Sequence, residues 1–434
     1  MISPTGLPFE LVDAPDALDS LPEIVAAHGR PGRVLVLTDA IPKFMAGDNL
    51  IDLVTALLPG AGVTMLQGRG RAVLADEATI AAAVTATVGR GCLVTLGSGT
   101  ITDLGKLASL ATGVPLVAVQ TAASVNGFSD DLSVVLRAGA KRTVESTYPA
   151  ALVIDHRVLA DAPMALNQAG LGECVGALVA PADWLLASTV GADPTYDPEL
   201  VRSYHRPAGE LMGIAGGIGR RQPESVASLA RLLTLAGLAM GKAGRTAPLS
   251  GTEHAISHLL DMVAEGDHAL HGSQVGVAAV VAACLWEVAL ESLDVERTTF
   301  IADDPSLAAS LAENLDRLDP RTIDECWADY RVKPELWRAA PPGPGALAAL
   351  TKPASAWLAT PLEIVEVLAA AGAPIRFSEL DPAIDGDTAR WAVANAHLLR
   401  SRFTILDLMV FTGGNLEDVV DDALDRAAKV GGGL

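Results

Sequence analysis

Only four cysteines (Cys92, Cys174, Cys284, Cys326) occur in the 434 residues, widely scattered and without a CxxC pair. That excludes a disulfide framework and a thiolate zinc site, and it fits a reducing, cytoplasmic setting. Positive charge is also scarce, with 31 Lys+Arg against 52 Asp+Glu and a formal net charge of −21. Such a balance works against binding nucleic acid or an anionic membrane by bulk electrostatics, so any phosphate-bearing ligand must be gripped locally. Long apolar runs are missing too. The longest, Val275 to Trp286, falls short of the roughly 18–20 residues that span a bilayer, so no membrane insertion is expected and it reads as a buried helix. The opening MISPTGLPFELVDAPDALDS carries acids where an export signal carries a basic segment and an apolar run, so no such signal is expected.

What is present is core: 50% of residues are hydrophobic and 19% charged, enough for two or three domains. Arg33 to Thr38, Gly62 to Gln67, Cys92 to Leu96, Pro115 to Gln120 and Ala151 to Ile154 are short apolar runs, with helical stretches such as Asp76 to Arg90 between them. Continuous apolar strands spaced by helices predict a parallel sheet covered on both faces. From about Leu166 the strand runs stop and long Ala/Leu-rich stretches follow. The expected fold is therefore an N-terminal α/β domain over residues 1–165 and an all-α domain over 166–434. Pro341 to Pro361 reads as an irregular, Pro-rich connection within the helical part.

Gly97-Ser98-Gly99-Thr100 lies between a predicted strand and a predicted helix, where small residues let backbone N–H groups approach a phosphate. It departs from GxGxxG because Thr102 takes the third glycine position, and the candidate ribose carboxylate, Asp39, precedes the loop. Ordinary turn chemistry would produce the same loop, and Asp103 could simply complement the helix dipole. Thr121 to Ser129, including Ser124 and Asn126, follows the next strand and flanks the same crevice, or merely turns the chain. In the helical half, His254, His258 and His271 cluster. A spacing of four puts His254 and His258 on one helical face, so those two could share a metal, with His271 arriving from a following segment. Imidazoles with one carboxylate suit zinc or another borderline divalent ion.

Taken in order, VLVLTD ending at Asp39, GSGTITDLGK from Gly97, TAASVNGFS from Thr121, AGLGE ending at Glu173, ADW at Ala182 to Trp184, SGTEHAISH ending at His258, HGSQVGV from His271, GAP at Gly372 and RSRFTIL from Arg400 cover most of the chain. In these pieces the sequence resembles the sn-glycerol-1-phosphate dehydrogenase group of the iron-containing alcohol dehydrogenase and 3-dehydroquinate synthase-like superfamily. The resemblance implies a Rossmann-like N-terminal domain and a helical metal- and substrate-binding domain, with NAD or NADP and a divalent metal, zinc first, in the cleft between them. It implies Glu173, His254 and His271 as metal ligands, which prefers His271 to His258, and it leaves His258 and Asn126 to the substrate. Gly97, Ser98, Gly99, Thr100 and Asp103 would hold the pyrophosphate and nicotinamide side, Asp39 the adenosine ribose, and Thr121 and Ser124 the adenine and ribose region.

Three features depart from the pattern: Glu173 stands where the family carries Asp, Asn126 where many members carry Asp, and Ala177 and Pro181 where members more often carry polar residues or Leu. Pro181 lies in the helical stretch after Glu173 and should kink it or mark a first turn. Asp39 favours NAD, while Lys43 could accommodate a 2′-phosphate. The expected activity is interconversion of a small phosphorylated polyol and its ketone, with glycerol 1-phosphate and dihydroxyacetone phosphate as the lead pair, in a homo-oligomer. An NAD-assisted sugar-phosphate cyclase and a non-catalytic nucleotide-binding relative are the alternatives.

Overall fold

Six parallel strands build the sheet of the first unit, and five of them form because their runs are apolar enough to be covered on both faces. In the computed structural model, which describes residues 6–68, 73–137, 140–264, 267–292, 313–339 and 343–434, these are β1 (Glu10–Ala14), β2 (Val34–Asp39), β5 (Gly62–Leu66), β6 (Cys92–Gly97), β7 (Leu116–Gln120) and β10 (Ala151–Asp155). The sheet order is β1-β10-β7-β6-β2-β5. Alternate residues feed opposite layers, as the pleat requires. Val34, Val36, Val94 and Val117 pack with Leu21 and Val54 on one side, and Leu35, Leu37, Leu93 and Leu116 with Ala83, Leu104 and Ala108 on the other. Two small two-stranded sheets, β3 (Phe44–Met45) with β4 (Asp48–Asn49) and β8 (Leu132–Arg137) with β9 (Ala140–Glu145), complete the strands described.

Five of the six sheet strands match the apolar runs of the sequence. β1 was not anticipated, because ELVDA is only half-buried at the sheet edge and carries two acids among five residues. β8 and β9 were missed as well: AKRTVE of β9 carries no apolar run, and LSVVLR of β8 is a short one whose alternate residues are exposed or only partly buried.

By its internal contacts the chain divides into two units. The first comprises 1–137, 141–171 and 213–245, and the second 138–140, 172–212 and 246–434. Residues 213–245 join the sheet unit through the helix Pro223–Ala243, whose Arg231 Nε donates to Asp13 Oδ2 at 2.5 Å and whose Thr234 carbonyl accepts from Ser129 Oγ at 3.0 Å. From residue 166 onward the described residues contain helices and no named strand.

The second unit centres on the helix His271–Ser292, buried along most of its length. Three segments, Met164–Thr189, Pro223–Ala243 and His271–Ser292, are long and apolar enough by length and composition to cross a membrane, which counting uninterrupted apolar runs did not reveal. Within the protein 94%, 56% and 89% of their most apolar windows are buried. Pro181 falls in the first turn of the helix Ala180–Thr189, where its missing N–H costs nothing. The expected irregular connection over Pro341 to Pro361 is instead largely helical: Pro344–Ser355 forms a helix opened by a proline, and residues 340–342 lie outside the described residues. Proline content signalled a loop here, but a proline in the first turn is compatible with a helix.

Candidate active site

In the sheet unit, β2 and β6 are neighbours from which successive strands are laid down in opposite directions, the switch point at which open α/β sheets bind ligands. Asp39 ends β2, Gly97 ends β6 and Thr121 follows β7, so three sequence-predicted residues meet at the carboxyl edge of three adjacent strands. Thr38 Oγ1 donates to the Leu96 carbonyl at 2.7 Å and Thr121 N–H to the Gly97 carbonyl at 3.3 Å, tying the strand ends together. The helix Gly99–Thr112 begins at once, and Ser98 at its N-cap provides no side-chain cap, so the first-turn N–H groups are presented to the crevice. A Cβ on Gly97 would lie 2.5 Å from Ile101 Cβ, and one on Gly99 2.6 Å from Val125 Cγ2. Thr102 is buried and turns its hydroxyl back onto the Ser98 carbonyl at 3.2 Å, which is why the third glycine is dispensable.

Asp39 accepts from Ile41 N–H at 2.8 Å and from Lys43 Nζ at 2.6 Å, so the ribose candidate is already paired with the cation expected to tolerate a 2′-phosphate. Asp103 accepts from Val134 N–H at 3.2 Å and pairs with the fully buried Lys106, which also binds Asp130 at 2.7 Å. Burial, opposed by Lys106 and reinforced by Asp130, pushes the Asp103 carboxyl up to about 6. The following loop is held by Asn167, which accepts from Ala123 N–H at 3.0 Å and donates to the Leu159 carbonyl at 2.9 Å. Ser124 and Asn126 are buried within that loop.

The helical unit gathers Glu173, His254 and His271, with one donor atom from each lying within 4.8 Å of the others. His254 Nε2 is 3.3 Å from Glu173 Oε1, and His271 Nε2 is 3.8 Å from Glu173 Oε2. Tetrahedral ligands about 2.1 Å from a divalent ion lie roughly 3.4 Å apart, so this donor set fits such an ion, extra methylene of Glu173 included. Close helix approach makes it so: a Cβ on Gly276 would sit 2.9 Å from Gly172 Cα, which brings the backbone next to Glu173 against the His271 helix.

Each imidazole is oriented from behind, as metal-binding histidines usually are. His254 Nδ1 donates to Glu253 Oε1 at 2.8 Å, directing Nε2 towards Glu173. His271 Nδ1 meets Ser257 Oγ at 2.9 Å; that hydroxyl donates to Gln274 Oε1 at 2.8 Å, and Gln274 donates to Asp261 Oδ1 at 2.9 Å. Burial disfavours a charged His254, but the Glu173 and Glu253 carboxylates outweigh it and push it up to about 9. Glu253 also accepts from Gly251 N–H at 2.7 Å. Asp183 anchors Thr252 N–H at 2.7 Å and Ile405 N–H at 2.9 Å, its carboxyl pushed up to about 7 by burial and by Glu253.

His258 lies beside this group, its ring 5.2 Å from that of His271 and 6.3 Å from that of His254. Its Nδ1 accepts from Arg400 Nη2 at 3.1 Å. Arginine can only donate, so the neutral ring carries its proton on Nε2. Glu253, Ser257, Gln274, Asp183 and Arg400 were given no role from sequence, although every one sits inside a segment that carried the resemblance; polar residues flanking a histidine ligand were the available signal.

Comparison with known proteins bears on both units. The family model for iron-containing alcohol dehydrogenases matches residues 12–163. A glycerol-1-phosphate dehydrogenase [NAD(P)+] of Halobacterium salinarum is 33% identical over 316 residues, covering 70% of this chain and 88% of that protein. One from Bacillus licheniformis is 27% identical over 300 residues, covering 68% of this chain and 62% of its own length. Among solved structures, glycerol dehydrogenase from Schizosaccharomyces pombe aligns with a TM-score of 0.61 at 14% identity, covering 97% of this chain and 90% of that one. Maleylacetate reductase from Agrobacterium tumefaciens gives 0.61 at 16% identity over 99% of both chains. The chain belongs to the iron-containing alcohol dehydrogenase family and, within it, to the glycerol-1-phosphate dehydrogenase group.

Proposed function

We propose that this chain is a metal-dependent NAD(P) oxidoreductase that interconverts glycerol 1-phosphate and dihydroxyacetone phosphate. The observation that carries the reading is the Glu173, His254 and His271 donor set, in a chain whose relatives are named glycerol-1-phosphate dehydrogenases. Two imidazoles and one carboxylate favour zinc and leave a position for a substrate oxygen. When bound, such an ion lowers the energy of negative charge developing on the carbonyl oxygen, and the nicotinamide supplies or accepts hydride.

The chain's own groups do the rest. Glu253 and Ser257 hold the imidazoles in register, so the ligand geometry exists before substrate arrives. His258, kept by Arg400 with its proton on Nε2, is a hydrogen-bond donor and proton relay for the substrate oxygen. Asn126 contacts substrate as a neutral amide. Backbone N–H groups of Gly97, Ser98, Gly99 and Thr100 hold the pyrophosphate, with Asp103 on the nicotinamide side, Asp39 on the adenosine ribose, and Thr121 and Ser124 at the adenine and ribose. Lys43 beside Asp39 supports use of either NAD or NADP. Four buried free thiols support a reducing cytoplasm, and the family resemblance supports a homo-oligomer.

The test is loss of reduced-nicotinamide absorbance with dihydroxyacetone phosphate and added zinc, beside His254→Ala. Turnover that vanishes in the variant supports the reading; absence of turnover in the zinc-loaded wild type overturns the substrate assignment.

A further inference from the structure

The helix Thr252–Val263 carries both His254 and His258, so whatever fixes its first turn fixes two imidazoles at once. Its N-cap, Gly251, has no side chain to satisfy the N–H groups that open the helix. A buried carboxylate from another segment does so instead. Asp183 Oδ2 accepts from Thr252 N–H at 2.7 Å and from Thr252 Oγ1 at 2.8 Å, while Asp183 Oδ1 accepts from Ile405 N–H at 2.9 Å. A Cβ on Gly251 would lie 2.6 Å from Asp183 Oδ2 and 2.9 Å from Glu253 Oε2, so only glycine lets the two carboxylates close over this turn. Asp183 thereby joins two stretches far apart in sequence, 246–258 and 400–405. Arg402 joins them again by donating to the Ser250 carbonyl and, at 2.6 Å, to Thr246 Oγ1, and Arg400 Nη2 does so by donating to His258 Nδ1 at 3.1 Å. The space left beside this join, lined by Ser250, Lys333, Arg400, Arg402 and Thr404, has a volume of about 10 Å³, room for one water at most, so the join is close-packed.

We propose that Asp183 is a positioning residue for both histidines: by holding Thr252 and Ile405 on its two oxygens, it sets where His254 stands against Glu173 and where His258 stands against Arg400. A helix fixes its residues relative to one another, so a displacement at Thr252 is carried to His254 two residues on and to His258 about a turn beyond. A site of this kind tolerates displacements of only about 0.5 Å. The three donors that converge on Asp183 require a carboxylate, because an asparagine would have to turn its own NH₂ towards one of the two N–H groups. The inference rests on the metal-binding part of the proposed function and is indifferent to which ketone is reduced.

Competition for zinc between the full chain and a chromophoric chelator tests this without turnover. It is run at about pH 8.5, where the Asp183 carboxyl, pushed up to about 7, is ionised. Asp183→Asn is expected to lower zinc affinity about tenfold, and the visible d–d bands of the cobalt-loaded chain should weaken or shift as the donors cease to converge. A role in stability alone would lower the urea midpoint and leave the zinc affinity and cobalt spectrum of the folded chain at their wild-type values; that result overturns the positioning role and leaves the proposed function standing. Thr252→Val keeps the shape and the N–H contact but removes the hydroxyl donor, and should cost about threefold in zinc affinity, which Thr252→Ser should restore. This pair carries the test if Asp183→Asn fails to fold, and a Thr252→Val affinity equal to that of the wild type then overturns the proposal. Absence of zinc binding by the wild type would overturn the proposed metal dependence, and the positioning role with it.

Discussion

The two units hold their polar chemistry in opposite ways. At the carboxyl edge of the sheet the candidate ligand groups are mostly backbone: strand ends, a helix start without a side-chain cap, and glycines with no room for a Cβ. In the helical unit they are buried ionisable side chains, each propped by another, as His254 is by Glu253 and His271 by Ser257 and Gln274. A backbone cradle depends on shape and tolerates many side-chain changes. A buried charge network depends on every member, because a lost partner leaves a desolvated charge behind.

That contrast can be broken at four points. Glu173→Gln keeps the shape but removes the only carboxylate of the donor set; metal affinity, read by competition with a chromophoric chelator, should fall by more than about a hundredfold. Glu253→Gln removes only the charge behind His254, and the same measurement should show about a 10- to 100-fold loss. An unchanged affinity would mean that the helical network is less interdependent than its hydrogen bonds imply. Gly97→Ala places a methyl 2.5 Å from Ile101 Cβ. It should cost about 1–3 kcal/mol of stability in urea unfolding and raise the KM for NADH, with metal affinity untouched.

The smallest effect concerns a buried imbalance in the helical unit. Burial, then the neighbouring Lys333 charge, hold the His397 imidazole down to about 3. An imidazole with a lowered folded-state value stabilises the fold fully above its unfolded value of about 6.5, and that contribution is lost as pH falls towards 3. Between pH 7 and 5.5 the wild type should therefore lose about 1.3 kcal/mol more than His397→Leu, measured as the difference between their unfolding free energies at the two pH values. Equal losses would place the acid sensitivity elsewhere.

The sheet was legible where its strands are apolar on both faces, since a run such as VLVLTD has no other stable use. It was illegible at β1 and in the β8 and β9 pair, whose polar residues are tolerated only because they sit at an edge or outside the main sheet. The histidine density marked the helical unit as chemical, but spacing alone favoured His254 with His258. His271 reaches Glu173 through the close packing of two glycine-bearing helices, information that local periodicity does not carry. Arg400 and Arg402 looked like two ordinary basic residues in RSRFTIL until the fold set them around one cavity.

By itself, the sequence determined the parallel α/β sheet, the helical second half and the residue types available for nucleotide and metal chemistry, because hydrophobic periodicity and glycine placement act over a few neighbours. Only the tertiary structure decided which donors meet, which carboxylate stands behind which imidazole, and where the scarce positive charge collects. Those outcomes depend on contacts between residues as far apart as Glu173 and His254, or Ser250 and Arg402, and no local rule constrains such pairs.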